Sequence, residues 1–190
     1  MSKIKKVYTK TGDKGHTALI NGERLAKNSL IFEVLGTLDE FNAHLGLVVL
    51  EYRQAGLTGD LALAQLTTLL DLQNELFKLG AEIALSPRVR LNDQFVSRLE
   101  TSIDALQADL GANWRYKFVL PGGSEASATI DVARTVCRRL ERRIVALDNE
   151  RDVREVVLQF VNRVSDYLFA LRTWLNAQSK VEEVEFDANK

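Results

Sequence analysis

The sequence predicts an all-α fold, a five-helix bundle behind an irregular N-terminal segment. Three observations predict it. Apolar residues recur at spacings of three and four through most of residues 30–180. No stretch shows a convincing period-two strand pattern. Only Pro87 and Pro121 interrupt the chain, which leaves room for long helices. Long helices with short links pack as a bundle. At 190 residues, with 46% hydrophobic and 27% charged, the chain has the size and composition of one globular domain. Residues 1–29 form its N-terminal segment, 30–180 the bundle and 181–190 a tail.

The elements follow in order. Gly12, Gly15 and Gly22 punctuate residues 1–29, which do not read as helix. A first helix is expected over 30–52, with Phe32, Leu35, Leu38, Phe41, Leu45 and Val48 on its apolar face. Gly36 and Gly46 inside it predict a close helix contact, because glycine holds no neighbour away. Residues 56–60 make a turn, and a second helix runs over 61–85 until Pro87 stops it. Asn92 is the expected N-cap of a third helix ending near Gly111. Residues 113–123 form a connector containing Phe118, Pro121, Gly122 and Gly123. Ser124 caps a fourth helix that reaches Asn149, and a fifth covers 152–180. The mostly acidic last ten residues are expected to fray.

Composition narrows the function classes. A formal net charge of −1 argues against a general nucleic-acid binder. No run of about 18 apolar residues is present, so no membrane span is expected. The opening MSKIKKVYTK has no apolar core of a secretory signal. The single cysteine, Cys137, has no internal disulfide partner and suits a reducing, cytoplasmic setting. His16 and His44 are the only histidines, and no cysteine–histidine cluster points to a zinc site held by the protein.

Three segments could carry chemistry. The first is residues 8–17, where Thr9, Lys10, Thr11, Gly12, Asp13, Lys14, Gly15 and Thr17 combine turning backbone, hydroxyls and positive charge. That mixture suits a polyphosphate. It is neither a Walker A nor a GxGxxG motif, and a plain polar loop remains the other reading. The second is the fourth helix. Ile130, Ala133, Cys137, Leu140, Ile144 and Leu147 fall on one stripe, with Arg134, Arg138, Glu141 and Arg142 on the next. Arginines beside a core stripe need anions or carboxylates, and the guanidinium fork suits a phosphate. The alternative is a solvated face with i,i+4 ion pairs, the reading given to Arg139 and Arg143. The third is residues 117–124, where Pro-Gly-Gly before a serine cap leads into a helix N-terminus able to face an anion. Phe118 there is either a core plug or a wall for a large apolar ligand. On the first helix, Asp39 lies beside the apolar face and needs a partner, for which Arg134 is available.

Taken together, these segments resemble one family. YTKTGDKGHTALI at 8–20, GTLDEFNAHLG at 36–46, LFKLGAEIA at 76–84, FVLPGGSEASATIDVARTVCRRLER at 118–142 and VLQFVNRVSDYLFALRTW at 157–174 are similar to PduO-type ATP:cob(I)alamin adenosyltransferases. The resemblance spans nearly the whole chain and implies a homotrimeric five-helix bundle with an active site at each subunit interface. It implies that Thr9, Lys10, Thr11, Gly12, Asp13, Gly15 and Thr17 wrap ATP, and that Lys27 approaches the triphosphate. Arg134, Arg138, Glu141 and Asn162 would lie at the nucleotide. Asp39 would pair with Arg134 across the interface, and Phe118 would occupy the lower face of the corrin ring. Three positions depart from the family pattern: Ile31 and Leu35 replace an arginine and a tyrosine, and Asp131 stands where histidine is common. These changes bear on interface packing or nucleotide affinity.

The resemblance also implies a mechanism. Cob(I)alamin attacks the 5′ carbon of ATP and triphosphate leaves, so no side chain need act as a general base. The protein holds the carbon in line with cobalt and stabilises the leaving group. Mg²⁺ carried by ATP, with Lys10, Lys27, Arg134 and Arg138, suits the second task. Phe118 would displace the lower cobalt ligand so that cob(II)alamin is easier to reduce. The electron must come from a cob(II)alamin reductase or a flavin, and an adenosylcobalamin-dependent enzyme would take the product. A non-catalytic trimeric module that binds or delivers adenosylcobalamin would use the same residues, and is the competing class.

Overall fold

A computed structural model of the chain describes residue 8, residues 10–114 and residues 118–189. The five expected helices are present: α1 (Leu30–Gln54), α2 (Asp60–Ile83), α3 (Phe95–Leu110), α4 (Glu125–Asp148) and α5 (Glu155–Gln178). Their apolar stripes build one core. On α4, Ile130, Ala133, Cys137, Leu140, Ile144 and Leu147 are all buried, as the spacing predicts. α4 packs against α1 and α5, α3 packs mainly on α5, and α2 lies against α1 and α3. α5 is the interior helix. Residues 170–176 are buried without a break, which an amphipathic surface helix cannot achieve.

The helix ends show where local chemistry overrides periodicity. Ser124 caps α4 as expected, its Oγ accepting the Ser127 N–H at 3.3 Å. Asn92 does not cap α3, which starts at Phe95 with Gln94 before it. The Asn92 carboxamide instead accepts the Gln94 N–H at 3.1 Å, and the Asn92 N–H is taken by Glu75. α2 stops at Ile83, before the expected 85, because Leu85 turns left-handed at φ 62°. α5 starts at Glu155, three residues later than expected, and the Val153 N–H before it is bound by Asp148 at 3.0 Å.

Two expectations are corrected outright. The N-terminal segment is not wholly irregular: β1 (His16–Ala18) pairs antiparallel with β2 (Arg24–Ala26), with Thr17 opposite Leu25. Three-residue strands are too short for alternation to register. The hairpin is fastened to the bundle by the Ile20 N–H to the Ala84 carbonyl at 3.1 Å, by buried Leu19, and by Arg151 on Glu23 at 2.7 Å. The acidic tail is not simply frayed either. The Leu120 N–H reaches the Val184 carbonyl and the Phe186 N–H reaches the Phe118 carbonyl, each at 2.8 Å, so 184–186 run antiparallel to 118–120.

Gly36 and Gly46 make no close helix contact within the chain. A side-chain carbon at Gly36 would meet nothing within 4 Å, and one at Gly46 only the Gln73 amide at 3.8 Å. Arg139 and Arg143 do not form i,i+4 pairs along α4. They cross to α1, Arg139 to Glu40 and Arg143 to Glu33 and Thr37. Among the described residues no helix is long and apolar enough to cross a membrane.

Candidate functional site

The site begins at the connector into α4. Gly122 and Gly123 take φ of 133° and 108°, a backbone region that side chains disfavour. A Cβ on Gly123 would also collide with the Asn176 carboxamide, whose Oδ1 accepts the Ser124 N–H at 3.1 Å. This sharp turn delivers Phe118 to the surface, where its ring is 80% exposed. The core-plug reading of Phe118 is therefore excluded for the chain as described.

Phe118 stands at the lip of a cleft of about 640 Å³ between α3, α4 and α5. Trp114 and Phe169 form an apolar wall, meeting edge to face at 6.3 Å. Arg134 and Arg138 line the same cleft, one helical turn apart. Arg138 is exposed and makes no ion pair among the described residues. Arg134 is two-thirds buried or more and is held within the chain by Asp131: Nε and Nη2 both lie 3.2 Å from Asp131 Oδ1. Farther along, Asn162 donates to Glu141 at 3.1 Å, joining α5 to α4 beside the arginines. Arg142 is exposed and turns back onto the Arg138 carbonyl.

The N-terminal candidates gather elsewhere. Gly12 to Gly15 close a tight turn, with the Gly15 N–H 3.2 Å from the Gly12 carbonyl and Gly15 at φ 78°. The Lys27 N–H binds the Gly15 carbonyl at 2.8 Å, and the Lys27 ammonium lies over Gly12, where a side-chain carbon would meet it at 3.2 Å. Arg24 steadies the turn through the Thr11 carbonyl. Lys10 lies 5.9 Å from the Tyr8 ring. Thr17 is paired in the hairpin, Asp13 is exposed, and Thr9 lies outside the described residues. The structure thus joins Lys27 to the glycine turn, but the hairpin is anchored beside Arg151, beyond the far end of α4 from Arg134. From Arg134 to Asp148 the helix alone covers about 21 Å.

Asp39 is exposed on α1 with no ion pair among the described residues, so nothing within the chain joins it to Arg134. Of the three departures, Ile31 is buried and Leu35, one turn on along α1, packs partly against the core, while Asp131 is a buried ion-pair member. Cys137 is no nucleophile. Burial pushes its thiol well above the ordinary range, and its sulfur donates to the Val161 carbonyl.

Sequence reasoning missed Trp114, Arg163, Asp166 and Phe169. Arg163 bridges Glu100 and Asp166, each at 3.0 Å, and all three line the cleft. Arg163 and Asp166 are spaced i,i+3 beside Asn162, a signal that was available. Also missed was Arg172, in a run that reads as core.

Comparison with known proteins gives this arrangement its context. The cobalamin adenosyltransferase family model matches residues 7–175. The chain belongs to the cobalamin adenosyltransferase family. Among curated relatives, it is 44% identical to a corrinoid adenosyltransferase of Bacillus subtilis, over 96% of this chain and 92% of that one. It is 38% identical to the corrinoid adenosyltransferase PduO of Salmonella typhimurium, over 87% of this chain and 48% of that longer protein. Among solved structures, a variant PduO-type ATP:corrinoid adenosyltransferase from Lactobacillus reuteri, complexed with cobalamin and ATP, superposes with a TM-score of 0.81. It is 32% identical, over 95% of this chain and 99% of that one. The solved relative therefore shares this chain's fold over nearly its whole length.

Proposed function

We propose that this chain transfers the 5′-deoxyadenosyl group of ATP to the cobalt of cob(I)alamin, forming adenosylcobalamin and releasing triphosphate. The observation that carries the reading is the family match over residues 7–175, together with a cleft that Phe118, Arg134 and Arg138 line together. The cobalt–carbon bond forms as the 5′ carbon–oxygen bond breaks, and the electron pair leaves on triphosphate.

The residues divide the work. Phe118, with Trp114 and Phe169 behind it, offers an apolar face to the corrin. Arg134 and Arg138 offer guanidinium forks to the nucleotide, with Glu141 and Asn162 beside them. Thr9, Lys10, Thr11, Gly12, Asp13, Gly15, Thr17 and Lys27 wrap the phosphates, and Mg²⁺ enters with ATP. Because the glycine turn belongs to a hairpin anchored beyond the C-terminal end of α4, while Arg134 and Arg138 sit near the middle of that helix, a complete ATP site draws them from two subunits. The assembly is a homotrimer of single-domain chains in which the partner subunit's Asp39 adds a carboxylate to Arg134. A cytoplasmic reductase or flavin supplies cob(I)alamin, and an adenosylcobalamin-dependent enzyme takes the product.

The test is direct. Chemically reduced cobalamin, ATP and Mg²⁺ are mixed with the protein and the corrin absorption is followed. The cob(I)alamin bands should give way to those of adenosylcobalamin, with one triphosphate released per turnover. ATP binding without any spectral conversion would remove the transferase reading.

A further inference from the structure

Arg172 is the least expected charge in the fold. It lies in the unbroken buried stretch of α5, and its side chain is 2% exposed. All three of its guanidinium nitrogens have oxygen neighbours. Nε lies 3.1 Å from Asp131 Oδ2, Nη1 3.0 Å from Glu183 Oε1, and Nη2 3.1 Å from the Gly122 carbonyl. The Nε approach is close but poorly angled, so it counts as an ion pair rather than as a hydrogen bond.

Asp131 is the hinge of this cluster. Its Oδ2 faces Arg172 and also accepts the Gly122 N–H at 3.2 Å. Its Oδ1 faces only Arg134, through Nε and Nη2. The carboxylate is thus clamped from behind by a buried cation and a backbone amide, and presents its free oxygen to an arginine at the edge of the cleft. Two arginines and two carboxylates make the chain Glu183–Arg172–Asp131–Arg134 electrically neutral.

A buried pair of this kind is poor value as a stabiliser, because apolar side chains of similar volume serve as well or better. Such replacements could not hold Arg134. Left to itself, an arginine beside a cleft samples many rotamers. Gripped on its Nε–Nη2 edge, it keeps one orientation and leaves Nη1 for a ligand. The same cluster fixes both polar atoms of Gly122, four residues after Phe118 on the connector.

We propose that Asp131 is a positioning residue for the transfer reaction: held by buried Arg172, with Glu183 of the tail completing the cluster, it orients Arg134 toward the nucleotide. This rests on the adenosyltransferase reading only for what Arg134 meets. The test compares wild type, Asp131→Asn, and the double variant Asp131→Asn with Arg172→Met. Asparagine keeps an acceptor for Gly122 but removes the charge facing Arg134, and methionine removes the buried cation, which would then keep only Glu183 and the Gly122 carbonyl. Three quantities are read: the thermal midpoint, the ATP dissociation constant by calorimetry, and turnover with ready-made cob(I)alamin.

The single variant should lose thermal midpoint and bind ATP about tenfold more weakly, the order seen when an outer support of a binding group is removed. The double variant should regain the midpoint while ATP affinity stays weak. A double variant whose ATP affinity returns with its midpoint would make the cluster a structural staple and overturn the proposal. So would wild-type ATP affinity in folded Asp131→Asn, which decides the matter if the double variant does not fold. If wild type binds ATP but transfers no adenosyl group, the activity reading falls, and the ATP comparison still decides the role of Asp131. A wild type that does not bind ATP overturns both.

Discussion

A phenyl ring that is 80% exposed contributes little to the core, so truncating Phe118 probes chemistry rather than folding. Phe118→Ala should change stability by no more than about 0.5 kcal/mol. With cob(I)alamin supplied ready-made, the variant should keep most of its transfer rate. With cob(II)alamin and a reductant it should slow sharply, because the lower cobalt ligand stays on. The ratio of the two rates in one sample is the measurement, and an unchanged cob(II)alamin-dependent rate would refute ligand displacement. Arg138 gives a second residue-scale outcome. It is exposed and has no ion pair among the described residues, so Arg138→Lys disturbs no described contact. A lysine still offers charge but no fork. Turnover should fall at least about tenfold with the thermal midpoint unmoved, and normal kinetics would return Arg138 to a solvated face. The need of Arg134 for a carboxylate was legible from its place beside the core stripe. The further carboxylate within the chain, Asp131, one turn back, was not legible, because its place depends on Arg172 arriving from another helix.

Helices were legible because their burial repeats every three to four residues over four to seven turns; the shorter elements had no such repetition. The β1–β2 hairpin and the pairing of 184–186 with 118–120 are set by a few backbone hydrogen bonds and by tertiary anchors such as Arg151 on Glu23 and Arg172 on Glu183. Nothing in the composition of three residues announces them. The junction of α2, α3 and α5 is similar: Arg154, just before α5, grips Glu82 through Nε and Nη2 at 2.6 and 2.9 Å and reaches Asp93 at 2.7 Å. Burial alone pushes the Glu82 carboxyl up. The Arg154 hydrogen bonds, the Leu91 N–H and the charges of Arg154 and Arg90 outweigh it and hold Glu82 below the usual carboxylate range. A carboxylate depressed in the folded state adds stability that is complete above its unfolded pKa and is lost as pH falls through the folded value. Glu82→Gln should therefore cost roughly 1–3 kcal/mol at pH 7, measured by urea unfolding. The gap from wild type should shrink as pH drops below about 4.5. A gap constant with pH would mean that the junction is held by packing and not by this ion pair.

At the scale of the whole molecule, α1 carries a surface that one chain leaves unexplained. Gly36, Asp39, Ala43, Leu47 and Leu50 are exposed at helical spacing, and a side-chain carbon at Gly36 would meet nothing within 4 Å among the described residues. Small residues and leucines in one stripe suit close approach by another helix, and the only carboxylate in that series, Asp39, has no partner among the described residues. The hairpin that carries the glycine turn is fastened beyond the C-terminal end of α4, while Arg134 and Arg138 sit near the middle of that helix. Both facts fit the proposed assembly, in which the turn of one subunit meets the arginines of the next with Asp39 at the junction beside Arg134. Light scattering should then give the mass of a trimer at micromolar concentration. Asp39→Ala should weaken assembly and raise the ATP concentration needed for turnover, while leaving the fold of each chain intact. The loss approaches about 3–5 kcal/mol if the Asp39–Arg134 contact is fully buried, and is smaller here because Asp131 already holds part of the Arg134 charge. Asp39→Asn separates charge from shape: if assembly needs the carboxylate, it should fail nearly as badly as alanine. Wild-type activity from a monomer, or trimer mass and normal ATP use in both variants, would place the junction elsewhere.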